Sequence, residues 1–515
     1  MPLPNQNDYR RKIKSVPELL KIIGPRPRKQ SVIMCHGTFD LVHPGHIRHL
    51  LYAKTKADIL VASLTCDAHI GKANFRPFVP QDLRAMNLAA LEAVDYVIID
   101  ENPTPIKNIK ILQPDYFAKG YEYARAGLHP KASEERDALE SYGGELIFTP
   151  GDVVFSSSAF LELAPPAISV EKLVTLMESE CVTFGALRAA LDAFGSVRVH
   201  VLGDTIVDSY SYCSLIGGAA KTPTFSVKHE RQADFVGGAG VVAKHVRRAG
   251  ATVKFSTVLG DDALKDFVVA DLTAAGIECE SVIDRTRPTT QKTVFLAGDY
   301  RMLKVDKLDN RPISDRILER LKKSLASFPV DAVVFSDFRH GIFSRGTTPE
   351  LTADMPKGAF KAADSQVANR WGNILDFKCF DLIAPNEREA RFALGDQDSV
   401  IRPLALELYM RAQCKTLILK LGERGIITYR APSDDVRSFF TIDSFADQVL
   451  DPVGAGDALL AYATLGLVAT GSSVVASILG AMAAAVACEH DGNNPVDPAD
   501  VLKKLETVEK RAHYR

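Results

Sequence analysis

The chain has 515 residues, which is too many for one ordinary hydrophobic core, and we expect two or three domains. Its residues are 46% hydrophobic and 24% charged, as in an ordinary soluble globular protein. The formal net charge of −2 gives no electrostatic reason to expect nucleic acid or an anionic membrane as a partner. The eight cysteines lack Cys-x-x-Cys spacing, which argues against a zinc site and predicts a reducing, cytoplasmic location.

Residues 1–30 are predicted to be a flexible segment, because they are polar and contain no apolar signal-peptide core. Beyond them, short apolar runs alternate with helical patterns, which predicts a parallel sheet with helices on both faces. Pro165 and Pro166 indicate a domain boundary, so a first domain over 31–162 would be followed by a linker and helix over 163–194. The predicted strands of the first domain lie at 31–35, 59–64 and 96–99, and its helices at 47–54 and 83–93.

The run Gly37-Thr38-Phe39-Asp40-Leu41-Val42-His43-Pro44-Gly45-His46 follows the first predicted strand and opens a helix. A glycine-led turn at a helix start offers backbone N–H groups to a phosphate. His43 and His46 fall on one side of the first helical turn, where they can hold a triphosphate and stabilise charge at the α-phosphorus. Two alternatives are surface histidines that cap the helix, and a His-x-x-His metal site without a further ligand at an obvious spacing.

This run resembles the HxGH signature of the cytidylyltransferase-like nucleotidyltransferases, and the similarity covers about residues 31–162. The resemblance implies a Rossmann-like domain that binds ATP or CTP, with His43 and His46 as catalytic residues. Arg84 is expected to be either a phosphate contact or a helix-surface charge. The resemblance implies nucleotide and phosphate contacts at Gly37, Thr38, Phe39, Lys119, Ser156, Ser157 and Ser158.

A second alternation of strands and helices predicts another α/β domain over residues 195–510. The tract 458–488 contains no charged residue and is long enough to span a bilayer. Because it is rich in small residues and is interrupted by Gly471-Ser472-Ser473, we predict two helices buried in a soluble domain, with a membrane span as the alternative. Strands of this domain are predicted at 197–202, 332–335, 382–384 and 416–420.

The run Asp451-Pro452-Val453-Gly454-Ala455-Gly456-Asp457 precedes the first small-residue helix. A Gly-Ala-Gly turn lets the backbone approach a phosphate, and its amides and the helix dipole form an anion hole. Asp457 at the end of this turn can accept a proton from a sugar hydroxyl as that hydroxyl attacks a γ-phosphate. The pattern predicts a catalytic base beside a phosphate-binding turn.

This second run resembles the C-terminal signature of the ribokinase-like (PfkB) carbohydrate kinases, and the similarity covers about residues 195–505. The resemblance implies a ribokinase-like α/β domain with a small β lid, which uses ATP and Mg²⁺. It implies that Asn386 and Glu389 organise Mg²⁺ indirectly. The other implied positions are nucleotide and phosphate contacts at Asn386, Glu389, Gly422, Glu423, Gly425, Gly454, Ala455 and Gly456, and sugar contacts at Asp204, Asp208, Gly237 and Gly238.

The second domain departs from its family at two places. Val241 stands where many relatives have asparagine, which puts the sugar contacts in doubt. The Asp-Pro-Lys that often follows the central strand is Asp364-Ser365-Gln366 here. Lys292, Arg301 and Lys304 are candidate phosphate-binding residues on the sugar side, with solvated surface charges as the alternative.

Together, the two domains resemble the halves of bacterial bifunctional heptose kinase/nucleotidyltransferases, whose usual order is kinase first. The resemblance implies phosphorylation of D-glycero-β-D-manno-heptose 7-phosphate at O1, and formation of an ADP-sugar from heptose 1-phosphate after a separate phosphatase acts. Alternatives are the same two activities on another sugar or polyol phosphate with CTP as donor, or one domain retained as an inactive, structural module. The expected partners are sugar phosphates and nucleoside triphosphates, without nucleic acid or membrane, and by analogy a homo-oligomer is expected.

Overall fold

The computed structural model describes residues 9–70, 77–120, 130–149, 169–218, 225–298, 300–367, 373–430, 438–490 and 492–513. The chain divides into two compact units, one formed mainly by residues 1–175 and the other mainly by residues 176–515. The linker and helix predicted over 163–194 stay a prediction. The described part of this range contains helices α6 (Ser169–Ser179) and α7 (Phe184–Ala193).

The N-terminal unit contains a single five-stranded parallel sheet among its described residues. Its strands are β1 (Val32–Gly37), β2 (Ile59–Thr65), β3 (Tyr96–Asp100), β4 (Tyr116–Gly120) and β5 (Glu145–Thr149). Its helices before α6 are α1 (Val16–Ile23), α2 (Pro44–Lys54), α3 (Gln81–Ala89), α4 (Ile106–Leu112) and α5 (Pro130–Glu140). The strand order is β3-β2-β1-β4-β5, and all neighbouring strands are parallel. The chain adds strands on one side of β1 up to β3 and then on the other side from β4, so the order of connection reverses between β1 and β4. A reversal of this kind opens a crevice at the carboxyl ends of the two strands.

The prediction of a flexible segment over residues 1–30 is wrong for its described part. Helix α1 starts at a capping box, in which the Ser15 hydroxyl and the Glu18 carboxylate each accept a hydrogen bond from the other residue's backbone N–H. The apolar side chains of Leu19 and Ile23, one turn apart, are buried against the sheet core. A helix with this amphipathic spacing therefore forms part of the domain.

The described residues of the C-terminal unit form two sheets. Its strands are β6 (Arg198–Gly203), β7 (Thr205–Gly218), β8 (Phe225–Gly238), β9 (Thr252–Leu259), β10 (Glu278–Ile283), β11 (Gln291–Ala297), β12 (Tyr300–Lys307), β13 (Ala332–Asp337), β14 (Phe360–Ser365), β15 (Leu382–Ile383), β16 (Thr416–Lys420), β17 (Ile426–Tyr429) and β18 (Phe439–Ile442). The large sheet has the order β10-β9-β6-β13-β14-β15-β16-β17-β18 and is parallel up to β16. The small sheet has the order β12-β11-β7-β8 and is the predicted β lid.

The helices of the C-terminal unit after α7 are α8 (Ala239–Arg248), α9 (Ala263–Ala274), α10 (Asp315–Ala326), α11 (Thr347–Ala353), α12 (Glu387–Leu394), α13 (Ile401–Ala412), α14 (Ala455–Thr470), α15 (Ser473–Cys488) and α16 (Pro498–His513). The uncharged tract forms α14 and α15, as predicted, and most of their side chains are buried within the unit. Across the described residues, no helix is both long and apolar enough to cross a bilayer.

Candidate active sites

The first candidate site surrounds the turn that follows β1, at the place where the strand order of the N-terminal sheet reverses. Phe39 adopts a positive φ of 48°, and its buried ring meets the His46 ring edge-on with centroids 5.1 Å apart. Helix α2 then begins with Pro44, whose fixed φ suits a first helical position. The predicted residues Gly37, Thr38 and Phe39 thus lead into the histidine pair, with the Phe39 side chain packing against His46.

His43 and His46 lie together, as the spacing predicted. Their rings stack with centroids 3.9 Å apart and planes inclined by 30°. His43 Nδ1 accepts a hydrogen bond from the Gly45 N–H at 3.1 Å, whereas His46 Nδ1 lies 3.1 Å from the Leu41 carbonyl oxygen and must donate to it. The neutral His43 ring therefore carries its hydrogen on Nε2, and the neutral His46 ring carries a lone pair there.

Both histidines are uncharged near neutral pH. Burial lowers the pKa of His43, and burial together with the adjacent His43 lowers the pKa of His46 to about 4. Only His43 can therefore donate from Nε2 without first gaining a proton. His46 can donate to a phosphate oxygen only after it has been protonated.

Arg84 is not a helix-surface charge, and its expected role as a phosphate contact stays a prediction. Its side chain is fully buried and donates hydrogen bonds to the carbonyl oxygens of Val79 at 2.9 Å and Thr65 at 2.9 Å, and also to that of Thr38. It also forms an ion pair with Asp67 at 2.6 Å. Arg84 therefore ties the turn after β1 to the end of β2. Its spacing in α3 gave no signal for this, because its partners come from distant segments.

The remaining predicted residues of this site divide into two groups. Lys119, at the end of β4, is buried and forms an ion pair with Glu135. Its proximity to a phosphate stays a prediction. Ser156, Ser157 and Ser158 lie outside the described residues. Within the parts of the chain that are described, no cluster of three or more His, Cys, Asp or Glu side chains could hold a metal ion.

The second candidate site is a cavity of about 830 Å³ in the C-terminal unit. Most of the residues predicted for the kinase site line it: Asp208, Gly238, Asn386, Glu389, Gly422, Glu423, Gly425, Gly454, Ala455, Gly456 and Asp457. The three candidate phosphate-binding residues from the small sheet, Lys292, Arg301 and Lys304, line it as well. Side chains of Val449, Ala481 and Ala485 add an apolar wall that suits a flat base.

Asp457 lies in the first turn of α14 with 8% of its surface exposed. Burial and the nearby Asp364 carboxylate raise the pKa of Asp457 to about 8, against the opposing charge of Lys420. Gly454 precedes the helix with φ of +84°, and a Cβ built on it would stand 2.3 Å from Asn493 Oδ1. This position therefore requires glycine both for its backbone conformation and for space.

Asn386 and Glu389 form a reciprocal cap at the start of α12. The Asn386 N–H donates to Glu389 Oε2 at 2.7 Å, its side-chain amide donates to Oε1 at 2.7 Å, and the Glu389 N–H donates to Asn386 Oδ1 at 2.9 Å. Burial and Asp364 raise the pKa of Glu389 to about 7. The Asn386 and Glu389 side chains are therefore held in place by each other, and their predicted role at Mg²⁺ stays a prediction.

Of the two aspartates predicted to contact the sugar, only Asp208 lines the cavity. The buried carboxylate of Asp204 accepts hydrogen bonds from the backbone N–H groups of Phe338 at 3.0 Å and His340 at 3.1 Å, and it does not line the cavity. Asp208 lines the cavity, and burial raises its pKa. Gly237 allows the Asp208 carboxylate to approach, since a Cβ there would stand 2.0 Å from Asp208 Oδ2. Asp204 thus holds the loop after β13, while Asp208 faces the ligand space.

Three polar residues of this cavity had no role in the sequence-based prediction. Lys420 Nζ lies 2.6 Å from Asp364 Oδ2, and the Asn493 side-chain amide lies 3.4 Å from Asp208 Oδ2. Asp364 was recognised only as part of a departure from the family pattern. Lys420 ends the predicted strand over 416–420 and lies two positions before the predicted nucleotide contact Gly422, so its place at the end of a buried strand was an available signal.

Comparison with known proteins assigns the C-terminal unit. The model of the pfkB family carbohydrate kinases matches residues 198–500, which is more than half of the chain. The chain belongs to the pfkB family of carbohydrate kinases. A cytidylyltransferase-like model matches residues 34–143. In this pfkB family member the nucleotidyltransferase-like region therefore precedes the kinase region.

Two curated relatives each match part of the chain. The bifunctional protein HldE of Desulfatibacillum aliphaticivorans is 29% identical over 320 residues, which are 61% of this chain and 64% of that protein. The protein of the same name from Geobacter metallireducens is 37% identical over 143 residues, 27% of this chain and 28% of that protein. The chain thus matches less than two thirds of the length of either relative.

Solved structures support the fold of the pfkB unit. The tetrameric inhibited form of phosphofructokinase-2 from Escherichia coli aligns with a TM-score of 0.50 and 17% identity, covering 61% of this chain and 99% of that one. The same enzyme in complex with substrates and products aligns with a TM-score of 0.51. The predicted fold class, a Rossmann-like nucleotidyltransferase domain followed by a ribokinase-like domain with a β lid, is confirmed.

Proposed function

We propose that this chain is a bifunctional enzyme that makes a nucleotide-activated sugar. Its C-terminal unit phosphorylates a sugar phosphate with ATP. After a separate phosphatase has removed the other phosphate, its N-terminal unit joins a nucleotide to the sugar 1-phosphate and releases pyrophosphate. The observation that carries the proposal is Asp457, a buried carboxylate that faces one cavity together with a glycine turn at a helix start. The stacked histidine pair supports the second activity.

In the kinase step, Asp457 takes the proton of the acceptor hydroxyl while the hydroxyl oxygen forms a bond to the γ-phosphorus. The bond from the γ-phosphorus to the bridging oxygen breaks, and ADP leaves with that electron pair. The backbone N–H groups of Gly454 to Gly456 can stabilise the charge on the transferred group. Because a base works best when its pKa is near the working pH, a pKa of about 8 suits Asp457 for this exchange.

Mg²⁺ fits this cavity, because the buried carboxylates of Asp364 and Glu389 and the amide of Asn386 supply oxygen donors. When bound, the ion neutralises charge on the phosphates. Because the Asn386 and Glu389 side chains already bond to each other, they would hold the ion indirectly. The apolar wall near Ala481 would receive the adenine of ATP.

In the nucleotidyltransferase step, a phosphate oxygen of the sugar 1-phosphate attacks the α-phosphorus of the triphosphate and pyrophosphate leaves. His43 donates from Nε2 to a phosphate oxygen, while His46 gains a proton as the triphosphate binds. No covalent intermediate with the protein is required. The donor is ATP or CTP.

The proposed acceptor is D-glycero-D-manno-heptose 7-phosphate at O1, because the matched relatives bear the name HldE. If those relatives have their domains in the opposite order, a collinear alignment can contain only one domain, which would account for matches of 320 and 143 residues. The alternative is the same chemistry on another sugar or polyol phosphate with CTP. We also propose a cytoplasmic homo-oligomer.

A substrate panel tests the proposal. Purified protein would be offered sugar 7-phosphates and sugar 1-phosphates with ATP or CTP, and products would be read by mass spectrometry. We expect Asp457→Asn to lose phosphorylation while keeping pyrophosphate release, and His46→Ala to do the reverse. The assigned roles would be contradicted if Asp457→Asn kept phosphorylation and His46→Ala kept pyrophosphate release. A wild-type protein inactive on the whole panel would favour a structural module.

A further inference from the structure

Lys420 is a buried cation at the carboxyl end of β16, inside the kinase cavity. Only 15% of its side chain is exposed, and its Nζ lies 2.6 Å from Asp364 Oδ2. Burial alone would lower its pKa, but Asp364, Glu389 and Asp457 outweigh burial and raise it. Lys420 therefore stays charged while it lies among three carboxylates.

The lysine also packs against the phosphate-binding turn. A Cβ built on Gly456 would stand 3.1 Å from Lys420 Nζ, so the ammonium group lies directly beside the Gly454–Gly456 backbone. This turn supplies the amides that the kinase step assigns to the transferred group. The Lys420 ammonium group therefore lies next to the place where negative charge develops on the transferred phosphoryl group.

The other cations of the cavity come from the small sheet. Lys292 lies on β11, and Arg301 and Lys304 lie on β12. Arg301 has 54% of its side chain exposed and forms an ion pair with Asp451 at 3.4 Å. Among the described residues that line the cavity, Lys420 is the cation held on the large sheet beside Asp457.

Lys420 lines the cavity near a position where the family pattern has a lysine that this chain lacks. Gln366 stands where relatives often have the lysine of Asp-Pro-Lys, and it lines the same cavity as Lys420 and Asp364. Its backbone is fixed, because the Gln366 N–H donates to the Asp337 carbonyl oxygen at 2.9 Å. A neutral amide at residue 366 leaves that part of the cavity without a cation of its own.

We propose that Lys420 binds the γ-phosphoryl group of the donor and stabilises its charge during transfer, supplying from β16 the cation that residue 366 lacks. The inference rests on the proposed kinase activity. As the acceptor oxygen bonds to the γ-phosphorus and the bridging oxygen departs with ADP, the Lys420 ammonium moves from Asp364 towards the γ-phosphoryl oxygens and keeps its proton. Asp457 alone accepts the hydroxyl proton.

The kinetic test compares Lys420→Gln, Lys420→Arg and the double variant Lys420→Gln/Gln366→Lys. Because removing one preorganised donor typically lowers kcat by about 10²–10³-fold, we expect a loss of that size in Lys420→Gln, with little change in the KM of the acceptor. Lys420→Arg, which keeps the charge, and the double variant, which restores a lysine to the cavity, should each recover part of the lost kcat. Cooperative thermal unfolding of each variant would show that all of them fold.

A binding test does not depend on knowing the acceptor. Lys420→Gln should weaken a nonhydrolysable ATP analogue by about tenfold, the effect of roughly 1.4 kcal/mol, while leaving ADP affinity nearly unchanged. Equal weakening of both nucleotides, or unchanged kcat in Lys420→Gln, would overturn the proposal and leave Lys420 as a structural partner of Asp364. If the wild type binds both nucleotides but phosphorylates no sugar, the proposed kinase function fails while this comparison still decides whether Lys420 contacts the γ-phosphate.

Discussion

At the scale of single residues, the kinase cavity concentrates carboxylates away from water. Asp457, Asp364, Glu389 and Asp208 all line it, and burial raises the pKa of Asp457, Glu389 and Asp208. Taking several like charges out of water destabilises the substrate-free fold unless they bind protons or cations. Lys420 offsets part of this cost, and a cation such as Mg²⁺ that binds with the nucleotide would offset more of it.

We predict that Asp457→Asn stabilises the substrate-free protein, more at pH 8 than at pH 5. The folded pKa of about 8 exceeds the ordinary value, so the stabilising contribution of protonated Asp457 is complete at low pH and is lost as pH rises through 8. A gain of about 1 kcal/mol at pH 8 corresponds to a few degrees in Tm. Differential scanning fluorimetry at both pH values measures it. The exposed Asp398→Asn is the control, and a pH-independent difference would refute the prediction.

The two histidines lead to a prediction about protons. Because His46 Nδ1 donates to Leu41, its Nε2 can meet a phosphate oxygen favourably only in the protonated ring. With a free pKa of about 4, His46 must take up a proton when the triphosphate binds at pH 7. Calorimetric titrations in buffers of different ionisation enthalpy should detect this uptake, and His46→Gln should reduce it. An identical heat in every buffer would contradict it.

At the scale of elements, the two ends of α14 provide a matched pair of glycines. Gly454 and Gly471 both have positive φ, +84° and +68°, but a Cβ would meet Asn493 at the first and nothing within 4 Å at the second. We expect Gly454→Ala to abolish kinase turnover. Gly471→Ala should cost only about 1 kcal/mol of stability from backbone strain and retain turnover. Coupled ADP release and thermal unfolding measure both, and equal loss in both variants would argue against the close-approach explanation.

Arg84 gives the corresponding prediction for the N-terminal unit. Arg84→Met would leave Asp67 and the carbonyl oxygens of Thr38, Thr65 and Val79 without their buried donor. Removing one partner of a buried ion pair typically destabilises a fold by about 3–5 kcal/mol. Hydrogen exchange of β1 and β2 should therefore quicken, and nucleotidyl transfer should fall. The exposed Lys110→Met serves as control, and unchanged exchange would refute the structural role.

Elements with a strong local pattern were predictable. The buried runs of β1, β2, β3, β6, β13 and β16, and the break between α14 and α15, could be read from hydrophobic patterning and a single glycine turn. Helix α1 was missed because residues 1–30 were judged as one polar segment, although Val16–Ile23 within it is mostly apolar and follows a capping signal at Ser15 and Glu18. The roles of Arg84 and Lys420 depend on partners up to 56 positions away, which the local pattern does not identify, although the place of Lys420 at the end of a buried strand was an available signal.

For the whole molecule, the important fact is that the two candidate sites belong to separate compact units. If a phosphatase acts between the two reactions, the sugar intermediate must leave the protein. We therefore predict that an equimolar mixture of His46→Ala and Asp457→Asn proteins, supplied with that phosphatase, forms the NDP-sugar as fully as the wild type. Product formation is followed by mass spectrometry. A mixture that stalls at the sugar 1-phosphate would show that the two activities must reside in one chain.

The amphipathic helix near the start of the chain matters for anyone who shortens this protein. A version beginning at residue 31 would leave uncovered the apolar surface against which Leu19 and Ile23 pack. Such a version would be prone to aggregate, because an exposed apolar patch invites association. Expression designs should therefore keep residues 9–30.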